Sequence, residues 1–458
     1  MSLARHLTKA IKGQAKPLFI FSDTVIPGAS LYWAVRLWEK ELQSLSLPVG
    51  ARLAVAARPS VAFLALLLAS LRRGYTFCPL PEKEPHVYLG KVDPTLFLDL
   101  SCEEVEDGTL PKRLPPKRKN SLPLYPEISL LLLTSGSTGE RKIVAISEGN
   151  LLAVLASHLP KLGLAQARLL SLLPWSHCFG LVLELLAGIL AQSTFVRPPL
   201  GARDPEMALS WAQEYHCNGL FAVPLMIERL YSCKAGEGFL RKLTTGVVGG
   251  APVSQELCEK LRGSRLRIGY GQTEASPGIT LGKVGFFQPN YLGQPVGCET
   301  RLFGKKLFFR GKNRALGYFT SHGLQLFEDL WHNTGDFAQS LPEGLYFLGR
   351  GQGEIKLSNG RFFPASFLES LIQKEVIYSC CVLVSAHPQE GILLFISEEE
   401  AKLEVQEKIV NLLKRHFPKI RAELRYCPRE HFVRDNKGAL LRQPSLEKIL
   451  SHECRRAS

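Results

Sequence analysis

Residues 131–142 read LLLTSGSTGERK. Four hydroxyl side chains, Thr134, Ser135, Ser137 and Thr138, alternate with Gly136 and Gly139, and Lys142 follows. Glycine tolerates backbone angles that other residues avoid, so such a run can turn successive N–H groups, together with the hydroxyls, toward one anion. Lys142 adds a mobile positive charge, and a polyphosphate is the guest that this chemistry suits. The commonest phosphate loop needs glycine directly before its lysine and Ser or Thr directly after it. Here those neighbours are Arg141 and Ile143, and the GxGxxG pattern is also absent from the run. Taken alone, a cluster of this kind is also consistent with a solvated turn of small residues.

The residues before the cluster must position it. Ile128 to Leu133 is a near-continuous apolar run, which predicts a strand covered on both faces, with a short buried helix as the alternative. Three later stretches have a similar build: LLPWSHCFGL (172–181), VVGGAPVS (247–254) and RIGYGQTEASPG (267–278). Each follows or contains an apolar run and breaks into glycine or proline, as at the carboxyl ends of strands in an α/β sheet, where ligands bind. DPEMALSWAQEY and SQELCEKLRG between them read as helices, and alternation of strands with helices predicts a largely parallel sheet. Val61 to Leu71 reads as a core helix bounded by Ser60 and by Arg72, Arg73 and Gly74, too short to span a bilayer.

With 458 residues, 45% apolar and 21% charged, the chain has room for two or three domains around a large core. A net charge of +14 points to a polyanionic partner: nucleic acid, anionic lipid or a phosphate-rich cofactor. The basic, proline-rich stretch PKRLPPKRKN (111–120) has no interleaved aromatic residues, which argues against nucleic acid, and it reads as an exposed connection. Residues 411–442 hold nine Lys and Arg against three Asp and Glu, an excess suited to a phosphate-rich ligand or to a solvated face. The N-terminal MSLARHLTKAIKGQAKP is basic and mildly amphipathic without a secretory apolar segment; it predicts a cytoplasmic protein, with peripheral membrane contact the less favoured reading. Eleven scattered cysteines without a CxxC or HExxH pattern predict free thiols in a reducing compartment and no structural zinc; CCVLV, holding Cys380 and Cys381, reads as a buried strand.

Taken in order, TSGSTGERK, YGQTE, WHNTGDFA (331–338) and FLGRGQGEIK (347–356) resemble the phosphate loop, the adenine and magnesium segment, the ribose segment and the hinge of the adenylate-forming superfamily. That superfamily comprises acyl-CoA synthetases, adenylation domains and luciferases, and the resemblance runs from about residue 20 to 445. It implies an α/β fold: a large N-terminal domain of parallel or mixed sheets wrapped by helices, residues 1–350, binding ATP and acid. A small C-terminal α+β lid, residues 352–458, would be mobile.

The resemblance implies a role for each matching residue. Thr134, Ser135, Gly136, Ser137, Thr138, Gly139 and Lys142 would hold the triphosphate of ATP, and Gly249, Gly250, Ala251 and Pro252 would frame the adenine. Tyr270, beside Gly271, would stack on the purine; Thr273 would touch the α-phosphate and Glu274 would hold Mg²⁺. Asp336 would accept both ribose hydroxyls, Arg350 would lie near ribose and phosphate, and His177 would gate the acid pocket. The departures are Arg141 in place of a proline, Glu148 in place of a histidine, Gln352 at the hinge, and Lys437 before Gly438 where the family has the reverse order.

The reaction implied joins a carboxylic acid to a thiol in two steps, through an acyl-adenylate, with CoA as the thiol or an acyl carrier protein in its place. The short chain is similar to the o-succinylbenzoate-CoA ligases of menaquinone synthesis. The apolar HCFG segment is instead similar to fatty-acyl-CoA and acyl-acyl-carrier-protein synthetases. The inverted Lys437–Gly438 pair also leaves open a non-catalytic nucleotide-binding homologue.

Overall fold

The computed structural model describes residues 2–14, 16–21, 24–56, 58–100, 115, 117–134, 141–350, 354–358, 362–376, 382–389, 391–397, 403–418, 420–434, 440, 442–451 and 455–456. Two large sheets dominate. In the thirteen-stranded sheet, six neighbours run parallel: Arg267–Gly271, Thr245–Gly249, Gly219–Ala222, Arg168–Leu170, Thr194–Arg197 and Pro17–Phe21. Thr24–Pro27 closes that edge antiparallel, and the opposite half, from Gly278–Leu281 to Glu299–Phe303, is antiparallel throughout. The seven-stranded sheet is likewise mixed, with Ile128–Leu133 parallel to Thr76–Leu80 on one side and antiparallel to Ile143–Ser147 on the other.

The apolar run before the phosphate-loop segment forms the strand expected of it, with the same bounds, Ile128–Leu133. Leu130 and Leu132 join the largest hydrophobic cluster while Ile128, Leu131 and Leu133 join a different one, so both faces are covered. A strand alternates its side chains, and here neither set meets water. The same division holds in the larger sheet, where Phe221 and Val247 point into one cluster and Leu220, Ala222 and Val248 into another.

Between the sheets lies the helix Val61–Arg73, ten of whose residues are buried. Ser60 caps its start by accepting from the Phe63 N–H, and Gly74 ends it in the left-handed conformation, as read from the sequence. The helices Pro205–Glu214 and Gln255–Leu261 lie within the two segments predicted to be helical. Among the described residues, no helix is long and apolar enough to cross a membrane.

The chain's final part forms a separate four-stranded mixed sheet with its own apolar cluster, so the fold is a large α/β body followed by a small α+β unit. Within it Val382–Ala386 overlaps the strand expected over CCVLV, of which Cys380 and Cys381 lie outside the described residues. Cys78, Cys178, Cys217, Cys233, Cys258 and Cys298 are free thiols, but Cys427 is disulfide-bonded, which corrects the expectation of thiols throughout.

Candidate active site

The strands Thr245–Gly249 and Arg267–Gly271 lie side by side and parallel, so their carboxyl ends release the chain at the same edge. Val223, after Gly219–Ala222, and Leu173 and Pro174, after Arg168–Leu170, emerge at that edge too. A cavity of about 600 Å³ opens here, closed on its other sides by Leu133, Thr134 and Lys142 from the smaller sheet and by His332 to Gly335 and Arg350. Loops at the carboxyl ends of parallel strands are where α/β sheets bind ligands.

At the polar end, Thr134 and Lys142 are hydrogen-bonded to each other. The Thr134 N–H donates to the Lys142 carbonyl at 2.9 Å, and the Lys142 N–H donates to Thr134 Oγ1 at 3.1 Å. Ser135, Gly136, Ser137, Thr138 and Gly139 lie outside the described residues. Lys142 Nζ sits 4.6 Å from the centre of the Tyr318 ring, whose hydroxyl donates to Glu274 Oε1 at 2.9 Å. Tyr318 belongs to the strand Gly317–Thr320, which pairs with Ile143–Ser147, so the register of that pair sets the ring beside Lys142. Burial, and then the neighbouring Glu274 charge, push the Tyr318 hydroxyl well above its ordinary pKa and keep it a donor.

Asp336 is 2% exposed and lies on the strand His332–Leu341 rather than at a helix cap. Its Oδ1 accepts from Arg350 Nε at 2.7 Å, and its Oδ2 accepts from the Tyr270 hydroxyl at 2.8 Å. Asp336 and Arg350 are paired residues of two neighbouring antiparallel strands, and Tyr270 reaches them from the end of Arg267–Gly271. The Asp336 charge raises the Arg350 pKa, and burial first and Asp336 second raise that of Tyr270. Two donors thus satisfy the carboxylate oxygens in a buried position.

Thr273 and Glu274 begin a short turn after the strand, and Thr273 Oγ1 lies 3.4 Å from Cys178 Sγ, which joins this turn to the 172–181 segment. The turn folds back so tightly that a Cβ on Gly271 would stand 1.6 Å from the Pro277 carbonyl oxygen, so glycine is required. The other end of the cavity is apolar: Leu162, Leu173, Leu183, Val223, Val247 and Leu281 all line it and share one hydrophobic cluster. Phe179, Gly180 and Leu183 come from a π-helical stretch, Phe179–Leu186, a rare geometry that is frequent at functional sites.

His158 also lines the cavity, 1% exposed, its Nδ1 3.1 Å from the Val154 carbonyl and its ring against Gly278, where a Cβ would meet Nε2 at 2.3 Å. Burial lowers its pKa from 6.5 to about 4, and burial followed by Arg314 and Lys142 does the same to His332.

Of the residues singled out from sequence, Thr134, Lys142, His177, Gly249, Gly250, Tyr270, Gly271, Thr273, Glu274 and Arg350 line this one cavity, with Asp336 directly behind Tyr270 and Arg350. Ala251 and Pro252 fall beyond the lining, because the chain leaves the wall after Gly250, where φ is +84°. Lys437 and Gln352 lie outside the described residues; Arg434 and Leu440 form an antiparallel bridge on either side of the former's segment. Sequence reading missed Tyr318, Cys178, His332 and His158 as lining residues. Cys178 and His332 stand inside quoted motifs, next to His177 and Trp331; Tyr318 and His158 have no local signal. Arg141 stacks over Tyr88, with 5.8 Å between the guanidinium carbon and the ring centre. Glu148 accepts from the Leu3 N–H at 2.6 Å, so neither departure touches the cavity wall.

Residues 29–306, more than half of the chain, match the family described as AMP-binding enzyme. The chain belongs to that family. Curated relatives include a feruloyl-CoA synthase of Amycolatopsis sp, 28% identical over 287 residues, or 58% of each chain. A long-chain-fatty-acid–CoA ligase of Salmonella typhimurium is 23% identical over 69% of this chain and 61% of its own. The matches thus span well under two-thirds of those relatives' lengths. Among solved structures, ATP-bound MatB from Rhodopseudomonas palustris superposes with a TM-score of 0.77 at 18% identity, covering 99% of this chain and 100% of its own. The o-succinylbenzoate CoA synthetase MenE of Bacillus subtilis, in complex with its acyl-adenylate, gives 0.72 at 19% identity over 99% of both chains. At these identities the likeness establishes the fold of the AMP-binding enzyme.

Proposed function

We propose that this chain is an AMP-forming acid–thiol ligase. The observation that carries the reading is a single cavity with a phosphate-loop base, Glu274 and the Asp336–Arg350–Tyr270 cluster at its polar end and an apolar wall at the other. ATP lies with its phosphates toward Thr134, Lys142 and the segment between them, its ribose hydroxyls on Asp336, and its adenine beside Tyr270, Gly249 and Gly250. The acid occupies the apolar end, with His177 at the junction.

In the first step the acid's carboxylate oxygen attacks the α-phosphorus, and the bond to pyrophosphate breaks to give acyl-adenylate. In the second a thiol sulfur attacks the acyl carbon, losing its proton, and AMP departs. Lys142 offsets phosphate charge and Thr273 donates to the α-phosphate, so positioning and preorganised charge supply most of the acceleration.

Glu274 suits Mg²⁺, which needs one or two carboxylates and takes its other positions from water and phosphate oxygens; among the described residues no cluster of three or more metal-ligating side chains exists. Mg²⁺ bound there would reduce the repulsion between the two anionic reactants. Residues 1–350 act as the adenylation domain and 352–458 as the lid, which brings Lys437 to the first step and CoA, or less favourably a carrier-protein thiol, to the second. We place the enzyme in the cytoplasm, on the six free thiols among the described residues set against the one disulfide at Cys427.

Two acids lead. The aryl body of o-succinylbenzoate, the menaquinone precursor, suits the apolar wall, and its second carboxylate would need Arg229, which with Lys142 and Arg350 makes up the lysine and arginine lining among the described residues. A fatty acid needs the wall and no cation. The test is release of AMP and thioester from ATP, CoA and a panel of aryl, dicarboxylic and fatty acids, with Arg229→Met alongside. Loss of activity in the variant for o-succinylbenzoate alone supports the first acid; AMP-independent thioester formation, or none with any acid, contradicts the ligase reading.

A further inference from the structure

The outward faces of the first two helices take no part in the chemistry above. Leu3–Lys12 buries Leu3, Ala4, Leu7 and Ile11 and turns Arg5, Lys9 and Lys12 to solvent, with no acidic residue in its length. Gly28–Ser44 buries Leu31, Val35, Trp38 and Leu42, and its opposite face exposes Trp33, Arg36, Leu37 and Lys40 at helical spacing. Arg36 is paired with Glu39. Trp33 is 70% exposed, although burying its ring would remove more apolar surface from water than burying almost any other side chain.

The two faces are continuous. Lys12 Nζ lies 5.6 Å from the centre of the Tyr32 ring, and that ring meets Trp33 edge to face, 5.9 Å between centroids. A tryptophan and a leucine flanked by lysines and arginines on a solvated helix face is the composition of helices that lie in a membrane interface, where indole sits at headgroup level and cations meet anionic lipid. We infer that this face docks on the surface of an anionic lipid bilayer, with Trp33 and Leu37 entering the headgroup boundary and Arg5, Lys9, Lys12 and Lys40 on the lipid phosphates.

Charge and place decide between this and other occupants. A second copy would set like charges against each other. An acidic carrier protein would match the charge, but neither helix contributes a residue to the cavity wall, and the edge strands between them, Pro17–Phe21 and Thr24–Pro27, end the sheet on the far side from the antiparallel half that carries Asp336.

The experiment is co-sedimentation of the full chain with vesicles of phosphatidylcholine alone and of equal parts phosphatidylcholine and phosphatidylglycerol, for wild type, Trp33→Ser and the double variant Lys9→Glu/Lys12→Glu. The wild type is expected in the pellet with the anionic vesicles only, less so at high salt, with each variant's partition coefficient reduced by about fivefold or more and its ATP-dependent activity in detergent-free buffer unchanged. Absence of wild-type protein from the anionic pellet overturns the inference. So does a Trp33→Ser variant that sediments like wild type, or retention on an acidic protein or concentration-dependent self-association in place of vesicle binding. The charge-reversal pair tests the same face without touching an aromatic residue.

Discussion

Asp336 concentrates the demands of the site in one side chain. It is buried, it accepts from Tyr270 and Arg350, and in the proposed complex it also takes the ribose hydroxyls. Asp336→Asn keeps the shape but replaces one acceptor oxygen by a donor that must face Tyr270 or Arg350, both donors themselves. Losing one or two charge-assisted bonds, each worth roughly 1.5–3 kcal/mol, predicts an ATP KM raised at least about tenfold, with 2′-deoxy-ATP penalised in the wild type. A KM within twofold of wild type, or equal use of ATP and 2′-deoxy-ATP, contradicts the assignment. Glu274→Gln separates binding from chemistry: the amide still accepts from Tyr318 but carries no charge for Mg²⁺, so turnover is expected to fall more than ATP affinity, by about a hundredfold or about 2.7 kcal/mol. Equal losses in both measurements would place Glu274 in ATP binding alone. Asp336 and Glu274 were legible because glycine turns and order mark their motifs; Tyr318 was not, because only its pairing with a strand far earlier in the chain brings it to the cavity.

Single elements hold these residues in place, and the helix Glu148–Leu162 is one whose behaviour depends on pH. It presents His158 to Gly278 across the cavity floor in neutral form. With its pKa lowered from 6.5 to about 4, the unfolded chain binds more protons than the folded one between those values. The stabilisation is therefore present above pH 6.5 and is lost as pH falls toward 4, about 2 kcal/mol of it by pH 5. His158→Leu is expected to melt at pH 5 closer to its own value at pH 7.5 than wild type does. A wild-type melting temperature unchanged over that range, or a variant with the same slope, contradicts this. Elements set by local pattern were the readable ones: Ile128–Leu133 by its unbroken apolar run, and Val61–Arg73 by Ser60 and Gly74 at its ends. The antiparallel half of the large sheet, from Gly278–Leu281 to Glu299–Phe303 in strand order, was not predicted, because several of its strands are half-exposed and carry no unbroken apolar run. The disulfide at Cys427 likewise had no marker in the spacing of the eleven cysteines.

At the scale of the whole molecule, the large body gathers Thr134, Lys142, Gly249, Gly250, Tyr270, Thr273, Glu274 and Arg350 around one cavity, and in the proposed reaction the C-terminal unit supplies Lys437. The two-step reading predicts that Lys437→Ala abolishes acyl-adenylate formation from acid and ATP yet spares thioester formation from supplied acyl-adenylate and CoA. Equal loss of both steps would instead make the substitution a general defect of the C-terminal unit, and an unchanged first step would remove Lys437 from the chemistry. Beneath all of this lies one claim, that the cavity joins an acid to the α-phosphorus of ATP. Its most direct measurement is return of labelled pyrophosphate into ATP, without CoA, across a panel of apolar carboxylic acids. Exchange that requires both an acid and Mg²⁺, and that Glu274→Gln suppresses, is the predicted result. No exchange with any acid, or nucleotide turnover that yields ADP and phosphate in place of AMP and pyrophosphate, would contradict it.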